Sequence, residues 1–492
     1  MKRDHLLCGV LLIICLHAPN QGSRDRRDAL SYRIACRYNL LEICSRAHLP
    51  NMLTRRGFLT TAALGLALGG FGCHGLISGP RRRHAGTNRI FFVSQGRTAL
   101  INADGSGLRY LRLDPPNQVT WQPADFFTDG RRILFLSMEP RRDGPGRPFD
   151  EYYTQTPTHL WIYDLDSGSL KEIATRDRLA VFYTPQLLLN DERMLVQVVR
   201  NKIGQIFSMN LDGTDQREFT RSGEGLPYGF DLSPDQQTVA FHLASPAGYQ
   251  IWTSDLEGRN RTLIAAHRDR LYFGPVWSPD GQWLAYQSCH FREDPAHDWS
   301  DVCVSRPNGS GHRVLTNGQS HWFGASYGHP QNRGSGSNML AWTHDSQILF
   351  SRKLPGSKVP WEYQTLRTDT DHFNREFKPS LARGGTEICR LNPADGSVAR
   401  LTRCDPPRWD FRASESPDGE KVLFCRSAVG TMPSVWVIDS NGRNAKQLTH
   451  GLNDRGADHP QWLPVTTANL YYRRRSASAA IESPQVTLQQ NQ

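Results

Sequence analysis

The sequence predicts an all-β fold: a seven-bladed β-propeller of four-stranded antiparallel blades, closed by both chain termini. Two turn motifs predict it, because each recurs seven times from residue 88 onward, with short β-rich runs between the copies. Composition agrees. A chain of 492 residues with 10% aromatic content is too long for one small domain and too rich in Trp, Tyr and Phe to be disordered.

The first turn motif is an apolar residue followed by Ser-Pro-Asp-Gly or a variant of it, with a strand behind it. Its clearest copy is Trp277-Ser278-Pro279-Asp280-Gly281. The copies, of which the last is degenerate, occur at 127–130, 189–191, 232–235, 277–281, 342–345, 415–419 and 462–464.

The second turn motif joins two strands through a tight turn of Asp-Gly or Asn-Gly character. Gly accepts the positive φ that such a short connection demands, so these turns predict hairpins. The copies occur at 104–105, 167–168, 212–213, 257–258, 308–309, 395–396 and 441–442. One copy of each motif per repeat gives seven blades of four strands.

These repeats resemble those of TolB-like bacterial propellers, which carry WD40-like (PD40) repeats. Residues 275–288 (PVWSPDGQWLAYQS) and 434–449 (SVWVIDSNGRNAKQLT) fit that blade pattern, and the resemblance covers about 88–473. It implies the fold and leaves the function open, since such repeats occur in scaffolds, peptidase propeller domains and sugar lyases. Little sequence stands between Cys73 and Arg89, so a relative of the propeller part only is expected.

The basic charge is concentrated before the propeller. Residues 1–83 hold 13 Lys and Arg against 4 Asp and Glu, a net of +9, and the whole chain carries +10, so the remainder carries 10 − 9 = +1. In the insertions of the propeller, acidic residues are nearly as common as basic ones. No nucleic-acid partner is therefore expected.

Residues 52–73 resemble a twin-arginine export signal. Arg55 and Arg56 precede a moderately apolar run of small residues, 60–71. Cys73 is a candidate lipidation site, although the residues before it fit a lipoprotein site poorly. The sequence thus predicts an exported protein of the periplasm or cell envelope, held at a membrane only by a signal or a lipid anchor.

The other segments outside the propeller are assigned by elimination. Residues 1–51 are expected to be a doubtful extension, because the apolar stretch 6–16 would make a second export signal that the protein does not need. Both apolar runs are shorter than the roughly 20 residues of a membrane-spanning helix. Residues 74–87 are predicted to be a linker, 88–473 the propeller and 474–492 a disordered tail.

Both termini are expected to contribute to one blade. Residues 459–462 supply an innermost strand after the last full repeat, and the first chain segment, 90–94, begins one strand further out. Residues 470–473 could instead take the position of 90–94, and this alternative stays open.

The connections sort onto two faces of the ring. In a four-stranded meander, the first and third connections lie on one face, and both turn motifs fall there; we call it the turn face. The other connections lie on the opposite face, here called the looped face. The insertions at 139–158, 290–300, 323–338 and 353–385 all fall on the looped face, which is therefore predicted to bind a ligand.

The candidate site residues lie at the channel mouth and in the insertions. Counting back five positions from each motif proline or its equivalent gives Pro123, Pro185, Gly229, Gly274, Met339, Arg412 and His459 as the mouth, of which Arg412 and His459 are the polar members. The rest of the predicted ligand-binding face is Asp410, Asp458, His321, His329, Trp361, Tyr363, His372 and Arg375. Aromatic rings mixed with charges of both signs suit an envelope protein, a peptide or a carbohydrate.

Histidines on this face raise a metal hypothesis. Neutral imidazoles suit Mn²⁺ or Zn²⁺, and His321, His329 and His459 are the candidate ligands. Oligogalacturonate lyases are propellers of this repeat type with a histidine-bound metal, and the chain resembles them in fold. With 17 His in the chain and no short ligand motif, structural histidines are the favoured interpretation and no cofactor is firmly predicted. In a lyase site, the metal would hold a uronate carboxylate and ease proton removal by a base.

Other enzyme classes lack their motifs. A peptidase of the prolyl-oligopeptidase type needs a further domain with a Gly-x-Ser-x-Gly elbow, and no such pentapeptide occurs. Phosphate loops, His-Glu-x-x-His and Cys-x-x-Cys pairs are also missing from the sequence.

Two cysteines of the propeller are predicted to form a disulfide. Cys289 ends a second strand and Cys303 begins the third, so the two are expected on adjacent antiparallel strands within disulfide reach. The alternative is that their side chains lie on opposite faces of the sheet.

Taken together, the sequence predicts an exported TolB-like propeller whose looped face binds a ligand or a protein without catalysis. The alternative is a metal-dependent polysaccharide lyase or a hydrolase acting on acidic sugars.

Overall fold

The structure, a computed structural model, describes most of the chain from residue 88 to residue 463. The described ranges are 88–94, 97–111, 113, 119–138, 158–175, 185–188, 191–200, 203–245, 248–290, 299–324, 336–337, 339–363, 375–403, 405, 408–428, 431–450, 452 and 456–463. All of them belong to one structural unit, 82–492. The predicted extension (1–51), signal segment (52–73), linker (74–87) and tail (474–492) lie outside the described residues, as do Arg55, Arg56 and Cys73.

The described residues form an all-β propeller of small antiparallel sheets. Five sheets have four strands each. Sheet I consists of β1 (Arg89–Ser94), β2 (Arg97–Asn102), β3 (Arg109–Tyr110) and β32 (Asp458–Trp462). Sheet II consists of β4 (Val119–Phe126), β5 (Arg132–Met138), β6 (Thr158–Asp164) and β7 (Leu170–Ile173). Sheet III consists of β8 (Gln186–Leu187), β9 (Arg193–Arg200), β10 (Ile203–Asn210) and β11 (Arg217–Glu218).

The next sheets follow the same meander. Sheet IV consists of β12 (Leu226–Leu232), β13 (Thr238–Ser245), β14 (Gly248–Asp255) and β15 (Thr262–Ala265). Sheet V consists of β16 (Arg270–Trp277), β17 (Leu284–His290), β18 (Asp301–Ser305) and β19 (Arg313–Val314). Within the described ranges there is no α-helix; the helical element there is a 3-10 turn at Pro379–Leu381.

Sheet VI has eight strands, which form two meanders. The first consists of β22 (Ala341–Trp342), β23 (Ile348–Lys353), β26 (Thr386–Leu391) and β27 (Val398–Arg400). The second consists of β28 (Arg408–Glu415), β29 (Lys421–Ala428), β30 (Ser434–Asp439) and β31 (Lys446–Gln447). Two hairpins stand outside these sheets: β20 (Phe323–Gly324) with β21 (Gly336–Ser337), and β24 (Trp361–Tyr363) with β25 (Arg375–Phe377).

The chemistry of the first turn motif explains its recurrence. In the copy between β16 and β17, the Ser278 hydroxyl donates to Asp280 Oδ1 over 2.5 Å and accepts the Trp283 N–H over 2.9 Å. Gly281 has φ +68° and donates its N–H to the Ser278 carbonyl. The Ser and Asp side chains and the left-handed backbone of the Gly therefore all stabilise one closed turn.

The core is distributed between neighbouring sheets. Apolar clusters lie between each consecutive pair of sheets, and in sheet VI between its two meanders. A further cluster joins the second meander of sheet VI to sheet I and includes Phe92, Leu423 and Trp462. In sheet I, β1 pairs antiparallel with β32, with Ile90 opposite Trp462.

The predicted disulfide is wrong because of the strand register. Ser288 lies opposite Asp301 and Tyr286 lies opposite Cys303, so Cys289 is three residues along the strand from the position that faces Cys303. An odd offset puts the two side chains on opposite faces of sheet V. Accordingly, Cys303 packs with Tyr272 and Tyr286, whereas Cys289 packs with Leu271 and Trp322. Both thiols are free and buried.

Among the described residues, no helix has the length and apolarity needed to cross a membrane.

Candidate functional site

The looped ends of sheets V and VI are joined through the backbone of residues 319–321. Ser320 exchanges two hydrogen bonds of 2.8 Å with Ser300, the residue before β18 of sheet V, and bridges to Arg352 of β23 on its other side. His321 N–H donates to the Ser351 carbonyl over 2.8 Å. In sheet VI, residues 319–321 therefore occupy the position that the first half of the innermost strand β16 occupies in sheet V.

The second half of that innermost strand is β22, which pairs with Ile348 and Leu349. The predicted insertion 323–338 thus leaves the sheet in the middle of an innermost strand. Its hairpin β20–β21 begins two residues after His321. Sequence reasoning placed the insertion on the looped face and could not place it at this inner position.

The backbone connection continues into the second meander of sheet VI. Thr386, at the start of β26, pairs in parallel with Trp409 of β28. The Thr386 hydroxyl donates to the Asp410 carbonyl over 2.8 Å, and the Ser351 hydroxyl donates to the same carbonyl. A Cβ at Gly385 would lie 1.8 Å from the Arg408 carbonyl oxygen, so only glycine allows this approach. The looped ends from sheet V to the end of sheet VI consequently form one continuous hydrogen-bonded platform.

Aromatic rings reinforce the platform. Trp299, before β18, and Trp409 lie with their rings 12° from parallel and 6.3 Å apart between centroids. The His321 ring lies 5.7 Å from Trp299 and 5.5 Å from Trp409. Lys353 Nζ lies 5.1 Å from the Trp299 ring centre, a distance suited to a cation–π contact. His321 is fully buried, so the structure places this predicted site residue in the support of the looped face.

Three ion pairs hold the looped ends of the strands. Arg270 pairs with Asp301 at 2.5 Å in sheet V, and Arg352 pairs with Glu387 in the first meander of sheet VI. In the second meander, Arg426 binds both oxygens of Asp410, at 2.6 and 2.7 Å. Asp410 is 0% exposed. Its prediction as a ligand-contacting residue is therefore corrected, because the carboxylate is enclosed by its own arginine.

The hairpin β24–β25 carries three of the predicted residues. Trp361 lies opposite Phe377, Glu362 opposite Glu376, and Tyr363 opposite Arg375. The backbone thus brings Trp361, Tyr363 and Arg375 onto one small ribbon that rises from the first meander of sheet VI. His372 and His329 lie outside the described residues.

The predicted mouth positions coincide with a repeated backbone bulge. The register of the innermost strands shifts there in sheets I, IV, V and VI. Gly229 and Gly274 have φ +63° and +61°, and Arg412 and His459 have φ +54° and +52°. A left-handed φ is ordinary for glycine and strained for Arg and His, and such strain concentrates at sites that other contacts over-determine.

Arg412 and His459 meet a shared carboxylate, Asp458. Arg412 Nη1 donates to Asp458, the His459 N–H donates to Asp458 Oδ1 over 2.7 Å, and the Cys425 thiol lies 3.4 Å from the same oxygen. The side chains of Arg412, Asp458 and His459 are 10%, 13% and 20% exposed. The structure corrects the predicted channel mouth at Arg412 and His459 to a mostly buried tie between β28 and β32.

The contacts within this tie fix the protonation states of Asp458, His459 and Cys425. Burial disfavours the Asp458 anion, but Arg412 and His459 outweigh burial and lower the pKa of Asp458 to about 2. Burial, with Arg412, lowers the pKa of His459 to about 4, so the imidazole is neutral at neutral pH. Burial, with Asp458, raises the pKa of the Cys425 thiol well above its usual value. The group is an ionised pair beside a neutral imidazole.

The structure describes two of the three predicted metal ligands. The His321 imidazole packs against two indole rings and His459 lies beside Asp458, while His329 lies outside the described residues. Within the described part of the chain, the His, Cys, Asp and Glu side chains that come close enough to share an ion are His344, Asp345 and Glu415. These lie on the turn face, where Arg390 already pairs with Glu415 at 2.9 Å.

Several residues that support the looped face were not predicted from the sequence. They are Trp299, Trp409, Arg352, Glu387, Arg426 and Asp301. A usable signal was present, since Asp301 and Glu387 stand at or near the start of a third strand, and their arginine partners stand in the first or second strand of the same meander. The aromatic cluster had no such signal, because its members come from separate sheets.

Comparison with solved structures finds likenesses at low sequence identity. An oligogalacturonate lyase in complex with manganese is 14% identical, with a TM-score of 0.44, over 74% of this chain and 85% of that one. An oligogalacturonate lyase from Vibrio parahaemolyticus is 13% identical, with a TM-score of 0.44, over 75% of this chain and 88% of that one. TolB from Acinetobacter baumannii is 15% identical, with a TM-score of 0.35, over 65% of this chain and 69% of that one.

No family model matches the chain, and no curated protein matches it. At such low identities and TM-scores, the likenesses assign no activity, partner or site residue to this chain.

Proposed function

We propose that this protein is an exported TolB-like β-propeller that acts as a binding module, with its ligand or partner protein held on the looped face over sheets V and VI. One observation carries the proposal: both hairpins that stand outside the blades rise from the continuous platform of sheets V and VI. The turn face carries short closed turns throughout its described part. A rigid support under projecting elements is the arrangement that binding surfaces use.

The proposal includes a closed ring of seven blades, in which sheet VI counts as two. Three features support closure. β1 pairs with β32, an apolar cluster joins sheet I to the second meander of sheet VI, and the Trp462 indole N–H donates to the Ser414 carbonyl over 3.2 Å. The equivalent bonds from Trp277 to Asp231 and from Trp342 to Val276, each 3.1 Å, link the neighbouring sheets elsewhere.

The partner class follows from the surface and the expected location. Export through the segment with Arg55 and Arg56, with or without lipidation at Cys73, would deliver the propeller to the periplasm or cell envelope. Aromatic and charged residues on the ribbon suit an envelope protein, a peptide or a carbohydrate.

Position-dependent cross-linking in the producing cell tests this proposal. A photoreactive residue at Tyr363 or Arg375, on the looped face, should give defined adducts in the envelope. The same residue at Glu257 or Gln282, on the turn face, serves as the matched control and should give none. Adducts that form equally from both faces, or from neither, would show that the looped face is not the binding surface.

A metal-dependent lyase acting on acidic sugars is the competing function. His321 packs against two indole rings and His329 lies outside the described residues, so no step is derived through a metal. Metal analysis of protein expressed with Mn²⁺ and Zn²⁺, together with an ultraviolet assay for unsaturated uronate products, separates the two. A stoichiometric metal with product formation would replace the binding proposal by the lyase.

A further inference from the structure

The turn face of sheet V departs from the other repeats at Arg306. The strand registers align the repeats, because each has a row of three facing residues, one from each of its first three strands; in sheet V the row is Trp277, Leu284 and Ser305. The next residue of the third strand is Arg306. At this position the other four-stranded units carry Asp or Asn: Asn102, Asp164, Asn210, Asp255, Asn392 and Asp439.

The Asp or Asn at this position normally holds the turn that follows the third strand. Each of these side chains hydrogen-bonds to its own turn; Asp164 Oδ1, for example, accepts the Ser167 N–H over 2.8 Å. In sheet V, Asn308 Oδ1 accepts the Ser310 N–H over 3.0 Å. The turn of sheet V is therefore closed without the Arg306 side chain, which leaves that side chain available for another role.

Arg306 packs on Trp283, together with a second arginine. The guanidinium carbon of Arg306 lies 4.0 Å from the Trp283 ring centre, and that of Arg313 lies 5.3 Å from it. All three residues are partly exposed. Two cationic groups thus lie against one indole ring, where a small ligand from solvent can contact both.

Neither arginine forms an ion pair within the described part of the chain. Arg306 Nη1 donates to the carbonyl and side-chain oxygens of Gln282, at 3.3 and 3.4 Å, and Arg313 Nη1 donates to the Ala394 carbonyl over 3.2 Å. These acceptors are neutral, and no described residue accepts from Nε or Nη2 of either arginine. That edge of a guanidinium matches a carboxylate or a phosphate through two parallel hydrogen bonds.

We propose that Trp283, Arg306 and Arg313 form a second binding site, which takes a small dianionic ligand through its phosphate or carboxylate oxygens. The ligand supplies the acceptor oxygens that an Asp or Asn side chain supplies at the position of Arg306 in the other repeats. Two guanidinium groups carry two positive charges, so a dianion neutralises both. A departure of one repeat from a pattern that the others keep is expected at a functional position.

This site goes beyond the proposed function, because it lies on the turn face and does not depend on what the looped face binds. A small anion gives no protein adduct, so cross-linking from Gln282 is not expected to report it.

Isothermal titration calorimetry with the full chain tests the site. Phosphate in its dianionic form and succinate are titrated at constant ionic strength, beside acetate and chloride. The dianions should bind at one site per chain and acetate about tenfold more weakly or less, because it leaves one guanidinium without a partner. The tighter of phosphate and succinate identifies the kind of oxyanion that the site prefers.

Variants copied from the chain's own repeats locate the binding. Arg306→Asp introduces the residue that sheet IV has there, Asp255, and should weaken binding of the preferred dianion about tenfold or more, because charge-assisted hydrogen bonds are lost and repulsion is added. Arg313→Thr introduces Thr262 of the same sheet and should also weaken it about tenfold. Arg443→Asp makes the same change of charge at an exposed residue elsewhere on the turn face and should bind like the parent.

A further variant separates ligand binding from support of the fold. Arg306→Lys keeps the charge and loses the planar fork, so it should melt near the parent temperature and bind the dianion severalfold more weakly. Adding the dianion should raise the melting temperature of the parent and leave that of Arg306→Asp unchanged.

The inference is overturned if phosphate and succinate give no more heat of binding than chloride, or if Arg306→Asp and Arg313→Thr bind like the parent. An equal loss in Arg443→Asp would also overturn it, since the anion would then respond to net charge alone. Each of these results leaves the cross-linking test of the looped face untouched.

Discussion

Replacing Arg412 by Ala should destabilise the propeller by loosening its C-terminal strand. The substitution leaves Asp458, whose side chain is 13% exposed, without the guanidinium that neutralises it. Removing one partner of a buried ion pair costs about 3–5 kcal/mol, and the small residual exposure together with the retained 2.7 Å bond from the His459 N–H puts the expected loss near the lower limit, at about 3 kcal/mol.

A comparison with Arg412→Gly isolates the backbone contribution. Arg412 holds φ +54°, which Gly adopts without strain and Ala does not. The Gly variant should therefore be more stable than the Ala variant by about 1 kcal/mol. Arg217→Ala is the control, since Arg217 is 59% exposed in its pair with Asp215 and its loss should change stability by less than about 0.5 kcal/mol.

Urea unfolding of these variants, beside Asp458→Asn and the double variant Arg412→Ala, Asp458→Asn, measures the coupling. The double variant should be clearly less destabilised than the sum of the single variants, because the unpaired charge is gone. The Ala variant should also recover stability on acidification, because burial that Arg412 no longer outweighs raises the pKa of Asp458, and protonation then removes the unpaired charge. Additive single effects, or an Arg412→Ala loss no larger than that of Arg217→Ala, would refute the buried tie.

Three further outcomes are expected. The pKa of His242 is lowered to about 3 by burial and that of His459 to about 4, against an ordinary 6.5, so stability is fully present above pH 6.5 and falls as the pH drops toward 4; a melting temperature that stays constant over that interval would contradict it. Trp462→Phe removes the 3.2 Å hydrogen bond to the Ser414 carbonyl and should lower the free energy of unfolding in urea by about 1 kcal/mol. An equal loss on substitution of exposed control residues would show that this hydrogen bond is not the cause. Gly385→Ala forces Cβ against the Arg408 carbonyl and should lower the unfolding free energy by about 1–3 kcal/mol or more, whereas a variant with parental stability would show that the contact is loose.

The turns were predictable from sequence because their chemistry is local. The Ser278, Asp280 and Gly281 contacts that close a turn involve residues within five positions of one another. A short window therefore contains the whole signal. The same holds for the separation of the two faces, since a meander fixes which connections share an end.

Register was not predictable in the same way. The pairing of Ser288 with Asp301 encloses the insertion 290–300, and nothing in the sequence states where the returning strand begins relative to Cys303. An error of one residue there reverses the face of every side chain. The prediction of a disulfide with Cys289 failed at this step, although the strands themselves were assigned to adjacent positions.

The long-range contacts that support the looped face could not be predicted for a different reason. Trp299, His321 and Trp409 come from separate sheets, and their contact depends on 319–321 entering sheet VI as part of an innermost strand. A sequence read repeat by repeat assigns those residues to a connection between blades. Individual site residues can then be named correctly as members of the looped end and still be given the wrong environment, as happened for His321.

The bulge position shows how such an environment could be inferred. A Cβ on Gly229 would lie 2.6 Å from Nδ1 of His242, the residue eight positions after the motif proline (242 − 234 = 8). The same position in the last full repeat is Cys425 (425 − 417 = 8), whose small side chain leaves room for Arg412. A glycine at the bulge is thus combined with a large eighth residue in one repeat, and an arginine at the bulge with a small eighth residue in another. Pairs of positions related in this way carry the three-dimensional information that single motifs lack, and in this chain they identify the blade junction at which a charged residue could enter.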